Sequence, residues 1–143
     1  MAPETLGVLS SKHHTLGLAR SPKGSMSWVY LGPVGRSALT PRAFVWALEV
    51  PWPELENTVS TFLAEHEMEE LFDKLPIEGT LIEGLRMSDY WGKLACQWLS
   101  EMPTARFSPL VMIALQGAMT RGASQSLRHA ARRLVFRNGG NSK

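Results

Sequence analysis

Apolar positions recur at helical spacing through most of the chain beyond residue 53 and follow no single period before it. Leu55, Val59, Phe62, Leu63, His66, Leu71 and Phe72 make one stripe, which predicts a helix from Pro53 to Leu75. Glu54 and Glu56 suit its positive end, and Pro76 closes it. Trp91, Leu94, Ala95, Trp98, Leu99 and Met102 form a second stripe, opened by the N-cap Ser88 and ended by Pro103. Ser108-Pro109 opens a third helix whose run Leu110–Leu115 is apolar on every side and is therefore expected to be buried. Ser124 caps a fourth with Leu127, Ala130, Ala131, Leu134 and Val135 inward, stopped at Asn138-Gly139-Gly140.

The first third reads differently. Leu16–Arg20 and Met26–Leu31 flank Ser21-Pro22-Lys23-Gly24, whose residues suit a tight turn, so a β-hairpin is expected. For residues 43–50, rich in aromatic and branched side chains between prolines, a third strand competes with a short helix begun at Thr40-Pro41. Residues 77–87 read as a short strand or a connecting turn, and residues 1–15 and 138–143 as a flexible arm and tail. The fold class implied is α+β, mostly α: a small N-terminal sheet or hairpin over residues 16–50, then four helices over residues 53–137, all in one domain.

Composition adds bounds. With 143 residues and 44% of them apolar, the chain can bury a core without metal or disulfide. Cys96 is the single cysteine, beside the second apolar stripe, so a packed, reduced thiol and a cytoplasmic setting are expected. No apolar run approaches the length of a membrane span. Five tryptophans (Trp28, Trp46, Trp52, Trp91, Trp98) are expected to serve mainly as core.

Charge changes the picture more. The net +2 conceals segregation: five Lys/Arg against two Glu in residues 1–50, two against ten Asp/Glu in 51–90, and eight against one in 91–143, or +3, −8 and +7. Glu65, Glu67, Glu69, Glu70 and Asp73 are expected on the polar side of one helix, with like charges at i,i+4 that repel by roughly 0.2–0.5 kcal/mol a pair. Arg128 and Arg132, and Arg133 and Arg137 with His129 when it is protonated, repeat the arrangement with positive charge on the last helix. Crowding of this kind becomes favourable where an oppositely charged partner arrives.

Residues 108–135 resemble a helical hairpin of the HEAT type, in which a V/L-R-x-A-A-x-x-L second helix comes after a first; here it is Leu127-Arg128-His129-Ala130-Ala131-Arg132-Arg133-Leu134. The resemblance covers about one repeat, with a longer, glycine-richer connection and no aspartate in it, and it implies a surface for a partner in place of chemistry. The chain as a whole has the look of a small bacterial toxin-immunity protein. The leading expectation is a protein-binding module of the immunity or antitoxin type, blocking a basic partner such as a nuclease toxin with Glu65, Glu67, Glu69, Glu70 and Asp73. The alternative is a nucleic-acid-binding protein using Arg121, Arg128, Arg132, Arg133 and Arg137 on phosphates. Third comes a small enzyme around His66 or Cys96. His13-His14 reads as a pair of incidental surface histidines; no metal site and no cofactor is expected.

Overall fold

A computed structural model describes residues 5–33, 35–103 and 107–139. The chain divides into two compact units, residues 1–76 and 77–143. The helix that begins near residue 53 belongs to the first unit, and those that begin near 89, 109 and 125 belong to the second.

The first unit opens with an antiparallel meander, β1 (Thr5–Ser11), β2 (His14–Arg20), β3 (Met26–Gly32) and β4 (Gly35–Ala38), in the spatial order β1-β2-β3-β4. The expected hairpin is β2–β3, in register from Thr15 opposite Leu31 to Arg20 opposite Met26, with Gly24 at φ 89° in its turn. The arm expected over residues 1–15 is instead strand from Thr5 onward, tied to β2 by a turn in which Lys12 takes φ 56°. A bulge at Val8 explains why the alternation is hidden in the sequence. Leu6 lies opposite Leu18 and Leu9 opposite Leu16, so one extra residue brings two leucines three apart onto the same face. Trp28 and Tyr30 continue that face on β3, opposite Leu18 and Leu16.

Residues 43–50, whose pattern admits either strand or helix, form neither a strand nor a full helix. Here α1 (Pro41–Phe44), capped by Thr40, runs into a 3₁₀ turn Val45–Glu49 with Val45, Trp46, Ala47 and Leu48 all buried. The helix expected across Pro53–Leu75 is broken. Its first part is α2 (Trp52–Glu65), which buries Trp52, Leu55, Val59 and Leu63 and packs on β1. After a reversal at residues 66–68 comes a separate 3₁₀ turn, Glu69–Lys74, held to the sheet where the Trp28 indole N–H donates to the Leu71 carbonyl at 2.8 Å. His14 is half-buried in this core, hydrogen-bonded to the Tyr30 hydroxyl at 2.6 Å and stacked on Trp46.

The second unit is all helical: α3 (Ile77–Met87), α4 (Asp89–Glu101), α5 (Pro109–Arg121) and α6 (Gln125–Gly139). α3 occupies the stretch expected to be strand or turn. Its buried Ile77, Thr80, Leu81, Gly84 and Leu85 keep helical spacing, but the glycines and the threonine in it mimic a turn. The three expected serine caps are present, Ser88, Ser108 and Ser124 accepting from the N–H groups of Trp91, Val111 and Leu127. The tail expected at 138–143 is helix as far as Gly139, and the remainder lies outside the described residues.

Two helical pairs, α3 with α4 and α5 with α6, stack so that α3 packs on α5 and α4 on α6. α4 and α6 run parallel. Ser124, just before α6, bonds Asp89 at the start of α4; Leu127 fills the space a Cβ on Gly92 would take; and Arg137 reaches the Ser100 and Met102 carbonyls at the far end. The core holds Ala95, Trp98, Leu99, Val111, Leu115, Leu127, Ala131 and Leu134; Trp91, Leu94, Ala130 and Val135, expected with them, are only half-buried, and the run Leu110–Leu115, expected to be buried throughout, leaves Leu110 and Ile113 exposed.

Candidate functional site

The acidic residues lie on a corner and not along one helix. Glu65 is the last residue of α2, Glu67 sits in the reversal after it, and Glu69, Glu70 and Asp73 belong to the 3₁₀ turn. All five are exposed. The i,i+4 repulsion expected between Glu65 and Glu69, and between Glu69 and Asp73, therefore has no continuous α-helix to act through. The corner itself is closed by three backbone bonds, His66 N–H to Leu63 O, Glu67 N–H to Ala64 O and Met68 N–H to Leu63 O, which together form a helix-ending loop that favours glycine at its left-handed position. Glu67 holds that position at φ 55°. None of the five carboxylates makes an ion pair among the described residues, where the pairs are Lys12–Glu49 and Lys93–Asp89.

His66 is not on a buried stripe. It caps α2, its Nδ1–H donating to the Phe62 carbonyl at 2.9 Å while its ring stacks on Phe62, 4.3 Å between centroids. Cys96 is buried against α6, and desolvation pushes its thiol up to about 12 despite the Arg133 guanidinium nearby. A thiol held protonated by its burial suits packing and opposes nucleophilic work. Among the described residues no group of three His, Cys, Asp or Glu side chains is placed to hold a metal ion, and no helix is long and apolar enough to cross a membrane. Trp28, Trp46, Trp52 and Trp98 are buried in the cores.

The five candidate arginines do not form one face. Arg128 donates to the Gly122 carbonyl at 2.8 Å and holds the α5–α6 turn. Arg121 lines a groove of about 320 Å³ with Arg86, Met87 and Ile113. Arg132 is exposed and lies over the Phe136 ring at 5.3 Å. Only Arg133 and Arg137 come together, in a second groove of about 380 Å³ between α4 and α6, where they meet Lys93, Cys96, Gln97 and Ser100. Sequence pattern does not single out Lys93. It sits with Gln97 and Ser100 at i, i+4 and i+7 on α4, but that this polar edge faces Arg133 and Arg137 is set only by the parallel packing of α4 and α6.

At the head of that groove Asp89 accepts from the Ser124 hydroxyl and pairs with Lys93 at 3.1 Å; the first bond, then the second, hold its carboxyl below the ordinary carboxylate range. No protein-family model, characterised protein or solved structure matches the chain.

Proposed function

We propose that this protein is a non-catalytic binding module of the immunity or antitoxin type, acting in the cytoplasm, which docks a basic protein partner such as a nuclease on the acidic corner Glu65–Asp73. The observation that supports this reading most is Glu67. A non-glycine residue in the left-handed region costs roughly 1–2 kcal/mol, and here the costly residue is an exposed carboxylate with four others within six residues of it. Nothing inside the fold is gained by its charge: among the described residues neither it nor its neighbours pair with a cation. A cluster of solvated carboxylates on a hydrogen-bonded corner imitates the phosphates for which a nuclease cleft is built, and its field speeds encounter. The reduced, buried Cys96 suits the cytoplasm.

The experiment is capture from a lysate of the native host with two baits, the wild type and Glu65→Lys/Glu69→Lys/Asp73→Lys. A basic protein is expected to be retained by the first and lost by the second, with wild-type association slowing as salt rises. Retention of the same protein by both baits overturns the proposal. The variant should fold, since all three side chains are exposed and lysine at the C-terminal end of α2 suits the helix dipole better than glutamate does.

A further inference from the structure

We propose that the groove between α4 and α6 binds a small phosphate-bearing anion with more than one charged group, using Arg133 as the principal ligand, assisted by Arg137 and Lys93. This site shares no residue with the acidic corner and does not depend on that reading. Three cationic side chains line one groove of about 380 Å³, a size that suits a small molecule. Because the helices run parallel, the cations are ordered along it: Lys93 toward its head, where Asp89 lies, then Arg133 level with Cys96 and Gln97, then Arg137 beside Ser100. Arg133 and Arg137 are one turn apart on α6, an axial offset of about 6 Å, and their mutual repulsion is relieved by an anion between them.

The hydrogen-bonding positions indicate which donors face the ligand. Arg137 commits one terminal nitrogen to the Ser100 carbonyl at 3.3 Å and the other to the Met102 carbonyl at 3.4 Å, and its guanidinium lies 6.0 Å over the Phe107 ring, so it is anchored rather than mobile. Arg133 has no hydrogen bond or ion pair among the described residues, which leaves its planar fork of five N–H donors for bidentate binding of a phosphoryl group. Two acids lie close, which leaves Arg133 as the cation that carries the site. Asp89 takes up part of Lys93 at 3.1 Å, and Glu101 accepts from the Gln97 amide at 3.4 Å. The floor, Cys96, Ala130 and Leu134, is apolar and carries no aromatic ring, so the site recognises phosphate and offers no stacking platform for a base.

The test is titration of the full chain with inorganic diphosphate, followed calorimetrically and by amide NMR shifts, against orthophosphate and a 12-nucleotide single strand. Diphosphate is expected to bind more tightly than orthophosphate and to shift Cys96, Gln97, Ser100 and Leu134 while leaving Ala114 and Gly117 in the other groove unmoved. Arg133→Gln should weaken it by about 10- to 100-fold, the loss of a charge-assisted hydrogen bond or pair of them. Arg132→Gln, at a residue also exposed but outside the groove, should leave affinity unchanged. Equal loss in both variants, or shifts spread over every arginine, would mean charge screening without a site and overturns the proposal. Tighter binding of the oligonucleotide than of diphosphate overturns it in favour of a nucleic-acid backbone.

Discussion

Glu67 and Trp46 each carry a cost that a stability-optimised chain would not keep, and substitutions at and near them separate structure from function. Glu67→Gly should raise unfolding free energy by about 1 kcal/mol, because glycine enters the left-handed region freely, and should at the same time weaken the proposed docking. A lower denaturation midpoint for that variant would show that Glu67 makes a stabilising contact. Trp46 has an indole nitrogen with no acceptor among the described residues, whereas the indole of Trp28 is bonded to the Leu71 carbonyl, and both rings are buried. Trp28→Phe should therefore cost about 1–3 kcal/mol more than Trp46→Phe, since it leaves a carbonyl without its donor while the other change removes a donor that had no partner. Equal losses in chemical denaturation would contradict this. Neither feature is legible in the sequence. Nothing in the local pattern marks Glu67 as a reversal, because Leu63, Leu71 and Phe72 keep helical spacing across it, and hydrogen bonding between Trp28 and Leu71 joins residues far apart in the chain.

At the scale of elements, the chain is readable where caps and stripe coincide. Ser88, Ser108 and Ser124 begin helices as expected, and Ser21–Gly24 turns a hairpin. It misleads where a small residue or a bulge disturbs the period: α3 hides behind Thr80 and Gly84, and β1 behind the extra residue Val8. The candidate surfaces suffer most from such shifts, since a broken helix turns a presumed acidic stripe into a corner. One tie between elements has a pH signature. The Asp89 carboxyl is held below its ordinary value by the Ser124 hydroxyl and then Lys93, so its contribution is present above the ordinary carboxylate range and is lost as pH falls through the depressed value. Asp89→Asn should be less stable than wild type at neutral pH, with the gap closing below about pH 4 in parallel melting curves. A gap that persists at low pH would assign the loss to packing of the amide.

At the scale of the whole molecule, charge is separated along the sequence, with −8 over residues 51–90 and +7 over 91–143, and the structure gives each sign a distinct geometry. The carboxylates gather on an exposed corner, while two of the five arginines first considered join Lys93 around a groove and the others diverge. The helical unit beneath the groove depends on its own core: Leu134→Ala should cost about 2–5 kcal/mol, and an unchanged midpoint would remove that side chain from the core. The central claim is that the acidic corner, and not the basic helix, meets the protein partner. Its most direct measurement is the association rate of the captured partner with wild type, with Glu65→Lys/Glu69→Lys/Asp73→Lys and with Arg132→Glu/Arg133→Glu, at two salt concentrations and with melting curves confirming that each is folded. The acidic reversal is expected to abolish binding, the arginine reversal to leave the rate within about threefold, and added salt to slow the wild type. Wild-type association by the acidic variant, with failure of a folded arginine variant, would contradict the claim.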